Sequence, residues 1–224
     1  MTQEPVLLLL SFDALSTSRA DQQKLIIDTH NTFRRGVKPT ASNMLKMVTA
    51  KNAQNWANRC TLRHSPPALR RTTVQCGENL FMSSAPYSWS DVIQAWHSEE
   101  KNFKYGTGAK TQDAVIGHYT QLIWYNSYQI GCAVAYCPKK QFNYFYVCQY
   151  CPSGNRATQI ATPYKSGPKC ADCPGHCDKG LCTNPCKYQD LVGNCRNLKS
   201  LFGCGHPLLK KNCPATCNCT AQII

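Results

Sequence analysis

Sixteen cysteines in a 224-residue chain leave few folds open, and their distribution narrows the choice further. Six lie between positions 60 and 151, and ten crowd into residues 170–224. So many thiols imply either zinc sites in a reducing compartment or disulfides in an oxidising one. Cys170-Ala-Asp-Cys173 has the spacing of half a zinc ribbon. The spacings as a whole are irregular, which favours disulfides and an exported chain.

Export needs a signal. Val6-Leu-Leu-Leu-Leu-Ser-Phe12 is a short apolar run followed by small residues at Ala14, Ser16 and Ser18. Residues 1–18 therefore read as a weak signal peptide, cut after Ser16 or Ser18 and lacking an upstream Lys or Arg. No stretch approaches the ~20 apolar residues of a membrane span, so a soluble mature chain is expected. Twenty-five Lys and Arg against twelve Asp and Glu give a net charge of +13. Such a surface suits anionic membranes, glycans or the acidic mouth of a channel. Nucleic acid is disfavoured, because the basic residues are spread along an exported chain.

Pro152-Ser-Gly-Asn and Thr162–Pro168 read as an irregular linker. A larger domain is expected near residues 21–165 and a small module beyond 170, where only staples can compensate for a meagre core. In the larger domain Asp21–Arg35 predicts a helix with Ile26, His30 and Phe33 on one face. Met47, Ala50, Ala53, Trp56 or Ala57, and Cys60 predict a second. A third starts near Ser90, with Val92, Trp96, Glu99 and Phe103 on one side. Glu99 on that apolar side needs a partner. Ile130–Tyr136 and Phe142–Tyr150 alternate with period two around Pro138–Gln141, predicting a hairpin. The fold class is α+β.

Four segments carry a specific resemblance. Gly117-His-Tyr-Thr-Gln-Leu-Ile-Trp124 and Tyr146-Val-Cys-Gln-Tyr-Cys-Pro-Ser-Gly-Asn155 are similar to the two strongest motifs of the CAP superfamily. His30-Asn-Thr-Phe-Arg34 and Cys76-Gly-Glu-Asn79 are similar to the two weaker ones. With the ten-cysteine tail, the chain resembles the cysteine-rich secretory protein family, mammalian reproductive-tract members above all. That resemblance implies an α-β-α sandwich CAP domain over 21–165, a disulfide hinge over 170–185 and a helical, ShKT-like channel-regulator domain over 186–219.

The resemblance also implies a cleft built from His64, Glu78, Glu99 and His118. His64 and His118 would hold zinc weakly, with Glu78 and Glu99 completing the cleft. It further implies disulfides Cys60–Cys137, Cys76–Cys151, Cys132–Cys148, Cys170–Cys177, Cys173–Cys182, Cys186–Cys219, Cys195–Cys213 and Cys204–Cys217. Spacing alone leaves these pairings open. In the tail, similar in cysteine framework to sea-anemone potassium-channel toxins, Phe202, Lys210 and Lys211 are candidate channel contacts. Lys187-Tyr188 is a lysine–aromatic pair elsewhere in that framework.

The expected function is that of a secreted, extracellular binding protein without enzymatic activity, storable in secretory vesicles. By resemblance it would regulate calcium or potassium channels and bind sperm or epithelial surfaces during sperm maturation or fertilisation. A sterol or an anionic membrane surface are further expected partners. A metal-assisted hydrolase using Glu78 or Glu99 as base, with Ser65 or Thr120 nearby, is the enzymatic alternative. A sterol-binding or defence role of the CAP domain alone is the other. No G-x-S-x-G or H-E-x-x-H motif is present. One departure from the family pattern stands out. An acidic residue and a tryptophan normally follow the Asn43–Met47 segment, whereas Val48-Thr-Ala-Lys-Asn-Ala-Gln54 follows here, about one helical turn shorter.

Overall fold

The computed structural model describes residues 11–50 and 53–224. The apolar run expected as the core of the signal peptide lies mostly outside them. A 3-10 turn at Asp13–Leu15 precedes the first helix, α1 (Ala20–Gly36). Leu15 is buried in the main core, and its carbonyl accepts the Trp89 indole N–H at 2.9 Å. Cleavage after Ser16 or Ser18 would remove that side chain and leave a buried donor unpaired.

The sheet has the order β1 (Val48–Thr49), β5 (Gln129–Tyr136), β6 (Tyr144–Cys151), β2 (Gly77–Ser83). β6 runs antiparallel to both neighbours, pairing Cys132 with Cys148 and Glu78 with Gln149. β1 is parallel to β5. One face carries Ile130, Val134, Tyr146 and Tyr150 against α1, α3 (Trp89–His97) and α4 (Gly117–Leu122). The other carries Ala133, Ala135, Phe145 and Val147 beneath α2 (Gln54–Ala57). Both faces are thus covered, which makes an α-β-α sandwich. A two-residue hairpin, β3 (Phe103–Lys104) and β4 (Gly108–Ala109), follows α3.

Two helical expectations need correction. The helix predicted from Met47 to Cys60 shrinks to the four residues of α2. Asn31 clamps the Met47 backbone through both its amide atoms, at 2.8 and 3.2 Å. The amides of Val48 and Ala50 then bond the carbonyls of Tyr128 and Ile130 at 2.7 Å. Two β-branched residues thus join the sheet edge instead of a helix. The third helix, capped by the Ser88 hydroxyl on the Asp91 amide, ends at His97. Glu99 sits in the 3-10 turn Ser98–Asn102 and Phe103 in β3.

Arg34 ties the loops of the sandwich together. It is 1% exposed and donates to the carbonyls of Leu45, Leu122, Trp124 and Tyr125 at 2.7–3.0 Å. Burial pushes its pKa down to about 9. Gly154 serves packing: a Cβ there would stand 2.6 Å from Cγ of the buried Trp124.

All sixteen cysteines are bonded, in the eight pairs that the resemblance implies. The sulfurs of Cys170, Cys173 and Cys182 lie within 4.8 Å of one another but belong to two disulfides, so the C-x-x-C pair ligates no metal. The hinge is docked on the sandwich. Its hairpin, β7 (Cys177–Asp178) and β8 (Leu181–Cys182), buries Leu181 in the main core. Lys46 and Cys182 bond through their backbones at 2.8 Å, and Lys46 Nζ pairs with Asp178 at 2.6 Å. The tail folds as α5 (Cys195–Phe202), α6 (Pro207–Asn212) and α7 (Pro214–Asn218) around Cys195, Leu209 and Cys213. No helix among the described residues is long and apolar enough to cross a membrane.

Candidate functional site

β2 is an edge strand, and two histidine–glutamate pairs sit beside it. Glu78 shares the α2 side of the sheet with Leu80 and Gln149. Its carboxylate takes hydrogen bonds from Ser65 N (2.9 Å), Ser65 Oγ (2.7 Å), Gln149 Nε2 (3.0 Å) and His64 Nδ1 (2.9 Å). The Arg70 guanidinium stands 3.6 Å away. Burial pushes the Glu78 carboxyl up, but the hydrogen bonds from His64, Ser65 and Gln149 outweigh it and hold it below the ordinary range.

The second pair lies on the helical side. The strained placement expected of Glu99 is resolved, because one oxygen accepts the backbone N–H groups of His118 and Tyr119 at 2.9 and 3.1 Å. Its other oxygen binds His118 Nδ1 at 2.6 Å. Here too burial pushes the carboxyl up, and the bonds to His118 and Tyr119 pull it lower overall. Asn79, next to Glu78 on β2, donates to the His118 carbonyl at 3.0 Å and so links the two pairs. The Trp96 ring stacks on His118 at 6.4 Å.

Each imidazole thus has Nδ1 held by a carboxylate, which leaves Nε2 as the atom presented outward. The side chain of His64 is 57% exposed and that of His118 34%. No three of His64, Glu78, Glu99 and His118 offer ligand atoms within 4.8 Å of one another among the described residues. The arrangement offers two imidazole donors whose tautomers are set, short of the three protein ligands of a catalytic zinc site. Neither hydroxyl of the enzymatic alternative is paired with an imidazole. Ser65 Oγ donates to Glu78, and Thr120 Oγ1 donates to Asn155 Oδ1 at 2.7 Å. Arg70, Asn79 and Gln149 complete the site without having been singled out as its members, and Ser65, expected only as a hydroxyl for the enzymatic alternative, serves as a donor to Glu78. A glutamine inside the apolar run of β6 was the one signal that could have revealed Gln149.

Beneath the site, His30 is fully buried, with Nδ1 2.7 Å from the Ile26 carbonyl and Nε2 3.0 Å from the Tyr150 hydroxyl. Burial pushes its pKa down to about 3 against the opposing Ile26 hydrogen bond. Unfolded, the imidazole takes a proton near 6.5; folded, it stays neutral until about 3. Its stabilisation is therefore complete above 6.5 and lost as pH falls, at up to about 1.4 kcal/mol per pH unit. Glu78 and Glu99 act in the same direction at lower pH. Their contribution is complete above 4.5 and lost as pH falls through their depressed values. Acidification from pH 7 to 5 is expected to lower Tm by roughly 4–8 °C, and His30→Gln to flatten that slope. A wild-type Tm that stays constant over this interval would contradict the assignment.

A sandwich with these paired side chains on its edge strand, continued by a stapled hinge and a three-helix tail, defines a CAP-domain protein with a C-terminal cysteine-rich module. Sequence comparison agrees. Residues 27–150 match the model of the Cysteine-rich secretory protein family, and residues 170–224 match the Crisp model. Human Cysteine-rich secretory protein 2 is 54% identical over 218 residues, covering 95% of this chain and 90% of the relative. Human Cysteine-rich secretory protein 3 is 52% identical over the same length, covering 95% and 89%. Among solved structures, NaASP2 with Zn2+ superposes with a TM-score of 0.60 at 30% identity, over 74% of this chain and 96% of that one. The chain belongs to the cysteine-rich secretory protein family.

Proposed function

We propose that this is an extracellular, non-enzymatic binding protein whose C-terminal module regulates calcium or potassium channels. The CAP domain carries it to sperm or epithelial surfaces through protein or sterol contacts, in sperm maturation or fertilisation. The observation behind the channel reading is the state of Phe202, Lys210 and Lys211, all exposed on α5 and α6 and none needed by the stapled core. Lys187 and Tyr188 are exposed as well, on the segment before α5. At the CAP site, His64 and His118 would hold zinc weakly, with Glu78 and Glu99 fixing the rings. Two donors suit an exchangeable ion, and the similar NaASP2 structure is one with Zn2+.

The test is whole-cell recording of calcium and potassium currents on sperm or a channel-expressing line. Oxidised full-length protein is expected to change a current. The triple variant Phe202→Ala, Lys210→Gln, Lys211→Gln is expected to lose most of that effect while keeping its Tm. A variant as active as the parent would remove these residues from the mechanism, and silence of both proteins would remove channel regulation altogether.

A further inference from the structure

Half of the strongly exposed large apolar side chains among the described residues fall between Tyr188 and Leu208, in the tail. Leu201 is 72% exposed, more than any other, with Leu208 at 61% and Phe202 at 57%. The reason lies in how the module folds. Its interior is Cys195, Leu209 and Cys213, with Leu198 and Cys217 packed beside them, so crosslinks replace the apolar burial that a larger domain would need. Leu201, Phe202 and Leu208 are surplus to that core.

Phe202 and Leu208 are linked through His206. Leu201 and Phe202 end α5; the Phe202 ring lies 5.3 Å from His206. His206 Nδ1 in turn accepts the backbone N–H of Leu208 at 3.3 Å. Cys195–Cys213 ties the start of α5 to the residue after α6, and Cys204–Cys217 ties the α5–α6 turn to α7, so the tip is presented rigidly. Asp190 is spent on Thr216, at 3.0 and 2.5 Å, and the remaining charge of the module's chain is basic. Residues 191–224 contain Arg196, Lys199, Lys210 and Lys211 and no Asp or Glu. Lys199 is tied to the Thr216 carbonyl at 2.9 Å. Arg196, Lys210 and Lys211 are exposed and form no ion pair among the described residues. Lys211 lies one helical turn beyond Leu208, on the same side of α6.

We infer that this tip is a membrane anchor: Leu201, Phe202 and Leu208 enter the interface of an anionic bilayer while Lys210 and Lys211 face its headgroups. An apolar apex with two unpaired lysines beside it fits an interface that is apolar below and negative above. A neutral surface would leave the cations unanswered. A purely acidic protein surface would leave three large apolar side chains in water. The inference rests on the reading of the tail as the effector module and gives that module its address: it concentrates the protein beside channels in the membrane plane.

The experiment is cosedimentation of the oxidised full-length protein with phosphatidylcholine vesicles, with and without phosphatidylserine, at low and high salt. Binding is expected with phosphatidylserine and to weaken with salt. Lys210→Gln with Lys211→Gln is expected to cost roughly five-fold per lysine on anionic vesicles. Leu201→Ser, Phe202→Ser and Leu208→Ser together are expected to cost at least ten-fold, with Tm unchanged because all three are solvent-exposed. Absence of vesicle binding, or binding indifferent to both variants, overturns the anchor. Current recordings keep the two readings apart. Vesicle binding without a current change retains the anchor and rejects channel regulation. A current change without vesicle binding does the reverse and points to direct protein contact.

Discussion

Arg34→Met is expected to destabilise the protein by roughly 3–5 kcal/mol. The guanidinium serves four backbone carbonyls from two separate segments, at Leu45 and at 122–125, and no carboxylate faces it among the described residues. Each buried carbonyl left without a donor costs about 1–3 kcal/mol. Removing a buried charge returns part of that. Methionine keeps much of the volume, so the change isolates the hydrogen bonds from packing. Arg34→Lys should recover only part of the loss, since three donors on one nitrogen cannot span what the planar fork spans. Chemical unfolding of the three proteins checks this, and a methionine variant within about 1 kcal/mol of the parent would show that water replaces the fork without penalty.

The second large effect concerns the staple next to the site. Cys76→Ser with Cys151→Ser opens a loop of sequence separation 75, which the chain-entropy argument puts at about 4 kcal/mol. Cys170→Ser with Cys177→Ser, separation 7, should cost about half as much. The longer loop has a local consequence too. Cys76 immediately precedes Gly77, whose pairing with Tyr150 opens the β2–β6 ladder, and Glu78 follows in register with Gln149. Untying it should loosen the carboxylate from His64 and Ser65 as well as lower Tm. Unfolding midpoints and the His64 ring signals in an NMR spectrum report the two parts separately. Equal losses from both staples would show that loop length does not govern the stabilisation.

The zinc and channel readings meet different physical limits. Two histidines with carboxylate-held Nδ1 atoms form a prepared but incomplete ligand set. Its carboxylates are already engaged by histidine, serine, glutamine and backbone N–H groups. A hydrolytic base needs a free carboxylate within reach of a proton, and neither glutamate is left free. The tail shows the opposite economy: Leu201, Phe202, Leu208, Lys210 and Lys211 are exposed and uncommitted.

Much of this architecture could be read from residues alone. The density of cysteines beyond position 170 specified a stapled tail, because a chain that short cannot bury enough apolar surface to fold without crosslinks. Alternation along Ile130–Tyr136 and Tyr144–Tyr150 specified the central hairpin, since the side-chain period of a strand is local. The motifs around His30, Glu78, His118 and Cys148 specified the family. What residues could not specify was decided by contacts between distant segments. Val48 and Thr49 fall inside a run with helical period, yet the Asn31 clamp and the edge of β5 draw them into the sheet. Glu99 fits the helical period of α3, yet the backbone N–H groups of α4 supply its partners only once the two helices pack. The same holds for Arg34 and for the ring of donors around Glu78. Periodicity reports which face a side chain occupies, whereas its partners are fixed by which segments fold against that face.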